Sequence, residues 1–255
     1  MNLELHDLER LCEVAIDAAR QSGAMIQSFV GRDFTVDDKT AGSSPASQIV
    51  SEVDFKSQDV ILELINPTMT AFDLGLLIEE SEDDHSRFEK NYFWCIDPLD
   101  GTLSFVEQQP GYAVSIALVS RTGTPVIGVV YDPLTDALYH AVRNAGAFRN
   151  LEPWALEAEF SGRYEAVHNT GAVLNACWVL EQAPAYFMKK PKLKEGGGCL
   201  WDYAATACLF EEIGGFACDS HGNSLDLNSR DSLYMNRKGV LFASHKEIID
   251  EVCLK

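Results

Sequence analysis

Tyr92-Phe93-Trp94-Cys95-Ile96-Asp97-Pro98-Leu99-Asp100-Gly101-Thr102 is an aromatic, apolar run that ends in two carboxylates, a glycine and a hydroxyl. It reads as a buried strand that carries its polar groups at its end. The i, i+3 spacing, bent by Pro98, turns both carboxylates toward one point, which the Leu99 carbonyl also faces. Carboxylate, backbone carbonyl and water oxygens are the ligands that hard divalent cations such as Mg²⁺ take. Gly101 permits close backbone approach to a ligand. Thr102 offers a hydroxyl and the first amides of a short helix, a combination suited to phosphate. The competing structural reading is a strand followed by a Pro/Gly turn with solvated acids.

Composition narrows the field of functions. The 255 residues are 46% hydrophobic and 23% charged, with a net charge of -19, an ordinary balance for a globular chain apart from its acidity. That charge argues against a nucleic-acid polymer or an anionic membrane as the main partner. An anionic substrate would need bound cations to offset it locally. No run approaches the roughly 18 to 20 apolar residues of a membrane span, and Met1-Asn2-Leu3-Glu4 does not read as a signal peptide. Seven cysteines form neither CxxC nor a zinc spacing. They read as reduced and mostly buried, which points to the cytoplasm. The six histidines are scattered and read as structural or surface groups.

Outward from the opening stretch, Leu5 to Val30 has a helical apolar face: Leu8, Leu11, Cys12, Ala15, Ala19, Met25, Ile26 and Phe29. Arg32 to Gln48 is polar and turn-rich, a loop with room for a short strand pair. Ser51-Glu52-Val53-Asp54 opens a second helix with a capping pair. Val60, Ile61, Leu64 and Ile65 would face inward, and Asn66-Pro67 is expected to stop it. Asp54 suits that helix N-terminus whether or not it also catalyses. Ala71 to Ile78 reads as a strand leading into Glu79-Glu80-Ser81, either metal ligands or a solvated acidic loop. Tyr112–Ser120, Pro125–Tyr131 and Ala137–Val142 form a meander with hairpin-like turns. Further on, helices are expected over Gly171–Glu181, Trp201–Ile213 and Lys246–Leu254. Short strands are expected at Ala185–Met188, Phe216–Cys218 and Val240–Ala243. Lys189 to Gly198 reads as a cationic, flexible loop, either solvated or anion-contacting, and it is no nucleotide P-loop because GxxxxGK[ST] is missing.

Asp54, Glu79, Asp97, Asp100 and Asp202 each stand where a regular element meets a loop. The succession EES, DPLDGT, then WDYAA followed by EEIGG resembles the inositol monophosphatase superfamily of Mg²⁺-dependent, lithium-sensitive phosphomonoesterases. The resemblance covers nearly the whole chain. It implies an α+β/α/β fold, a layered αβαβα sandwich. Residues 1–150 would form an N-terminal α+β half with an antiparallel sheet and most metal ligands. Residues 151–255 would form a smaller α/β half supplying Asp202 and substrate contacts. It further implies that Glu79, Asp97 and the Leu99 carbonyl bind one Mg²⁺ and that Asp97, Asp100 and Asp202 bind a second. Glu79 would also help hold a loosely bound third and so joins the catalytic set. Asp54 and Thr102 would position and deprotonate the attacking water. The Gly101 and Thr102 amides would hold phosphate oxygens, with Asp100 and Asp202 also lining the substrate site. A homodimer is the assembly the resemblance suggests.

The chemistry explains why acids recur. Phosphate monoesters hydrolyse extremely slowly, so the site must lower a very large barrier. Paired cations lower the pKa of water, neutralise phosphoryl charge and stabilise the leaving alkoxide. In inositol-specific members a glutamate shortly before the WD motif binds sugar hydroxyls, whereas this chain reads Tyr186-Phe187-Met188-Lys189-Lys190. Lysines there favour a small phosphorylated metabolite with a second anionic group, as in the bisphosphate nucleotidases acting on 3′-phosphoadenosine 5′-phosphate. Inositol-1-monophosphatase, a sugar bisphosphatase and a catalytically silent metal- or phosphate-binding regulator on the same fold are the rivals. Three departures from the family pattern stand out: Ile78 where glycine is usual, a long Lys39–Asp54 segment with Gln48 where an acid often stands, and a short Asn150–Gly171 middle.

Overall fold

The computed structural model describes residues 3–32, 36–38, 49–157, 159–168 and 171–253. Most of the segment read as a polar loop, 33–35 and 39–48, lies outside these residues. Its short flanks, β1 (Val36–Asp38) and β2 (Ile49–Ser51), pair antiparallel.

The central sheet follows from the apolar runs. β3 (Gly75–Ile78), β4 (Tyr92–Asp100), β5 (Ala113–Ser120), β6 (Pro125–Asp132), β7 (Ala137–Val142), β8 (Gly146–Arg149) and β9 (Glu152–Trp154) lie side by side in chain order. Only β3–β4 is parallel among these neighbours; the rest form an antiparallel meander. Side chains alternate between two cores, as the pleat requires. On β4, Trp94 and Ile96 join one core while Phe93 and Cys95 join the other. On β5, Val114, Ile116 and Leu118 alternate in the same way with Ala113, Ala117 and Val119. A strand buried on both faces cannot show polar alternation, which is why these runs are continuously apolar.

Helices α1 (Leu5–Gln27) and α2 (Glu52–Phe72) cover the first face. The second face is covered by α4 (Ala172–Glu181) and α5 (Leu200–Ile213). Beyond them lies a four-stranded sheet in the order β10 (Glu165–Ala166), β11 (Ala185–Lys189), β13 (Val240–Ala243), β12 (Phe216–Cys218). α6 (Lys246–Val252) packs on β13 and completes five layers, the αβαβα sandwich. α5, between the two sheets, is buried nearly all round, as a central helix must be. None of the seven cysteines is paired, and five of them are buried. Among the described residues, no helix is long and apolar enough to cross a membrane.

Several expectations change. α2 does not stop at Pro67 but runs on to Phe72, so Ala71 belongs to the helix and β3 begins only at Gly75. Proline removes an amide and crowds the preceding turn, but packing beyond it outweighs that loss. The Thr68 hydroxyl donates to the Ile65 carbonyl (2.6 Å) and accepts from Trp94 Nε1 (3.0 Å), anchoring the last turn in the core. Val60 and Leu64 are half-buried, while Ile61 and Ile65 are fully enclosed. β4 does not end at Ile96; it continues through a bulge between Asp97 and Asp100.

Candidate active site

The acid stretch is presented by the irregular end of β4. The bulge leaves Pro98 and Leu99 outside the regular pairing, and Leu99 N–H donates to Asp97 Oδ1 (3.0 Å) instead. Bulges of this kind re-aim side chains beside functional sites. Gly101 then adopts φ +80° and caps α3 (Thr102–Val106). A Cβ on Gly101 would lie 2.2 Å from the Gly111 carbonyl, and one on Gly171 would lie 2.2 Å from that same oxygen and 2.7 Å from Asp100 Oδ2. Glycine is therefore required at both positions by close approach.

Asp97, Asp100 and Asp202 each bring one carboxylate oxygen into a group whose members all lie within 4.8 Å of one another. They come from different elements. Asp100 accepts from Val173 N–H (2.8 Å) at the start of α4. Asp202 sits in the first turn of α5 and accepts from Cys199 N–H (2.6 Å), closing a capping box. Ser115, opposite Asp97 in the β4–β5 register, donates to the Trp201 carbonyl (3.2 Å) and fixes the start of α5 to the sheet. Glu79, half-buried, is outside that group of three, but its charge reaches Asp97 and Asp202. Its backbone N–H donates to Ile96 O (3.2 Å), which holds the end of β3 against β4.

The electrostatics are those of a cation site. Burial, then the charges of Glu79, Asp202 and Asp100, push the Asp97 carboxyl well above the usual range. Burial and the Asp202 charge push Asp100 up to about 7, against backbone hydrogen bonds and Lys189, which pull it down. Burial raises Asp202 as well, with the Lys189 ammonium opposing and Glu79 reinforcing the shift. The contact between the Asp97 and Asp202 carboxyls raises the first and lowers the second. Buried acids so close cannot all ionise unless a cation joins them. The all-oxygen donor set fits a hard divalent ion such as Mg²⁺.

Beside the acids, Thr102 Oγ1 donates to Asp54 Oδ1 (2.8 Å) and lies 3.2 Å from the Leu99 carbonyl. Asp54 and Thr102 are buried. Lys189, the last residue of β11, lies over the Phe187 and Tyr203 rings (5.9 and 5.8 Å to their centroids). Its charge reaches Asp100 and Asp202. Lys190 is exposed, one residue past the strand, and is not brought into this group. The loop that follows was expected to be flexible but is tied down. Asn236 Nδ2 donates to the Lys192 and Lys194 carbonyls (2.8 and 3.2 Å), and Tyr203 Oη donates to Gly197 O (3.1 Å).

Sequence reasoning overlooked three contributors. Ser57 donates to the Pro98 carbonyl (2.6 Å) and is 2.6 Å from the Ser22 hydroxyl, so a buried hydroxyl chain runs from α1 through α2 to the acid bulge. Gly111 supplies the carbonyl against which both site glycines pack. Ser115 anchors α5. A serine one turn after Asp54 is a usable signal, since a polar residue on an inward helix face needs a partner. The Gly111 contact leaves no trace in local sequence.

Comparison with known proteins agrees with this geometry. An inositol-1-monophosphatase of Bacillus subtilis is 27% identical over 94% of this chain and 95% of its own length. The Nus factor SuhB of Pasteurella multocida is 29% identical over 96% and 95%. Among solved structures, a Thermotoga maritima IMPase superposes with a TM-score of 0.76 at 24% identity, covering 96% of each chain. An IMPase/NADP phosphatase solved with NADP and Ca²⁺ also reaches 0.76, at 18% identity over 99% and 97%. The model of the inositol monophosphatase family matches residues 7–167, which span the second helix, the acid bulge and the whole meander. On that match the chain belongs to the inositol monophosphatase family, a family of metal-dependent phosphatases.

Proposed function

We propose that this phosphatase hydrolyses a small phosphomonoester carrying a second anionic group, with a 3′(2′),5′-bisphosphate nucleotide as the favoured class. The observation that carries this reading is the convergence of Asp97, Asp100 and Asp202 on one point, with Lys189 held beside them by two rings. In this reading Asp97, Asp100 and Asp202 would hold one Mg²⁺, Glu79, Asp97 and the Leu99 carbonyl would hold another, and Glu79 would help hold a third. Bound there, Mg²⁺ supplies charge neutralisation for the phosphoryl group and makes water a stronger nucleophile near neutral pH.

The remaining work falls to the chain. Thr102 directs its hydroxyl hydrogen at Asp54, which leaves its lone pairs to accept a hydrogen bond from the attacking water. As that water loses its proton to Thr102 Oγ1, the threonine proton passes to Asp54 Oδ1, so the pair acts as the general base. The amides of Gly101 and Thr102, at the start of α3, hold phosphate oxygens. Lys189 binds the second anionic group from β11. Lys190, exposed beyond the strand, contributes at most to attraction from a distance.

Inositol-1-monophosphatase is the second reading, favoured by the name of the Bacillus subtilis relative. Steady-state phosphate release from adenosine 3′,5′-bisphosphate and from inositol 1-phosphate, with Mg²⁺, decides between them. The proposal expects higher kcat/KM for the bisphosphate, and expects Lys189→Met to raise KM about tenfold for it while leaving inositol 1-phosphate nearly unchanged. Equal losses on both would remove the second anionic subsite. No phosphate release from any phosphomonoester would favour a metal-binding regulator.

A further inference from the structure

One face of α2 over a single turn is both polar and enclosed: Asp54, Ser57 and Gln58 are 2%, 0% and 8% exposed. Residues three and four apart share a helix face, and each of these side chains reaches a different segment of the site. Asp54 meets Thr102 (2.8 Å), Ser57 meets the Pro98 carbonyl (2.6 Å), and Gln58 Nε2 donates to Ser81 Oγ (3.1 Å), two residues beyond Glu79. Gln58 Oε1, at the other end of that amide, is shut off from solvent and accepts nothing. Two other buried atoms share that condition among the described residues, on His140 and Asn236. His140 is stacked on Phe148 in the far strands, and Asn236 braces the lysine loop. Gln58 alone of the three shares its helical turn with Asp54.

We propose that Gln58 is a positioning residue for the cation site: its Nε2 fixes Ser81, and through it the Glu79 corner, and its Oε1, sealed in the metal-free protein, becomes the acceptor for a water that the hydrated cation brings in as the site rearranges around it. Buried acceptors are almost always satisfied, and an orphan in an otherwise well-bonded turn points to a partner that arrives with a ligand. Mg²⁺ retains several waters when bound by carboxylates, so it brings donors of the required kind. Outer partners of this type commonly govern metal affinity by ten- to a hundredfold.

The inference rests on the metal-dependent reading, and its test separates the two. Metal-free wild type, Gln58→Met, Gln58→Glu and Ser81→Ala are titrated with Mg²⁺ alone, followed by calorimetry and by the rise in Tm. Methionine keeps the length of glutamine but neither hydrogen-bonding end, whereas glutamate keeps acceptors at both and still bonds the Ser81 hydroxyl. Expected are a Kd for Mg²⁺ about ten- to a hundredfold weaker in Gln58→Met, within about threefold of wild type in Gln58→Glu, and intermediate in Ser81→Ala. The metal-free Tm of Gln58→Glu should stay within a few degrees of wild type, so its comparison with wild type stands even if the methionine variant folds poorly. Wild-type affinity in Gln58→Met, or a loss in Gln58→Glu as large as in Gln58→Met, overturns the role of Gln58. Failure of the wild type itself to bind Mg²⁺ overturns the metal-dependent reading along with it.

Discussion

Asp97 is buried against three other carboxylates and keeps a proton to tolerate them. Its removal should therefore affect folding and function in opposite directions. Asp97→Asn stays neutral without having to hold a proton, so at and above neutral pH its Tm without metal should equal or exceed that of the wild type. Phosphate release should fall by about a thousandfold or more if Asp97 is the cation ligand proposed above, because transition-state charge stabilisation worth several kcal/mol would be lost with it. A variant with near wild-type turnover would contradict the assignment. Thr102→Val tests the water-orienting pair: kcat should fall about a hundred- to a thousandfold with KM little changed, the pattern of an interaction made mainly in the transition state. Gly171→Ala places a methyl group 2.7 Å from Asp100 Oδ2 and 2.2 Å from the Gly111 carbonyl. Both should have to move, at a cost of about 1–3 kcal/mol in stability by chemical denaturation. At this scale the sequence is legible where a residue type is unusual for its position, as two acids at the end of an apolar run are. It is silent where the partner is a distant backbone carbonyl, as at Gly111.

Four helix beginnings supply the site. Asp54 lies in the first turn of α2, Thr102 opens α3, Val173 at the start of α4 donates to Asp100, and Asp202 lies in the first turn of α5. Free amides and the positive end of each helix favour anions at such points, which suits a phosphate and also steadies the carboxylates. The sheet elements were readable because alternating faces and hairpin turns are local signals. Pro67 misled for an equally physical reason. Proline weakens a helix locally, but the Thr68–Trp94 contact that outweighs it links residues 26 positions apart. The lysine pair was ambiguous in the same way, since only the end of β11 determines that Lys189, and not Lys190, stands beside the acids. The hydroxyl chain from Ser22 through Ser57 to Pro98 is an element-scale brace. Ser57→Ala leaves the Pro98 carbonyl buried without a donor, and should cost about 1–3 kcal/mol in unfolding free energy. Replacing Ser22 by alanine leaves the bond to Pro98 intact and should cost less. Equal costs would show that the chain does not act on the acid bulge.

The whole molecule carries a net charge of -19 and concentrates several acids at one point, so its stability should respond to pH and metal together. The ordinary Asp value is 3.8, and Asp100 is pushed up to about 7 in the folded, metal-free protein, with Asp97 and Asp202 also raised. Between about pH 4 and 7 the folded chain holds protons that the unfolded chain has released. This contribution to stability is fully present below about pH 4 and is lost as pH rises through about 7. Calorimetry in chelator should therefore show Tm falling by several degrees from about pH 5 to 8. Saturating Mg²⁺, on the proposal that it binds the ionised acids, should flatten or reverse that slope. The end of β4 and the beginnings of α2, α3, α4 and α5 supply a single acidic corner. Anomalous diffraction from Mn²⁺-soaked crystals tests that arrangement most directly. Peaks within about 2.2 Å of the Asp97, Asp100 and Asp202 carboxylates, with a further peak shared by Glu79 and Asp97, are the predicted result. Their absence at full Mn²⁺ saturation, with these side chains ordered, would contradict it.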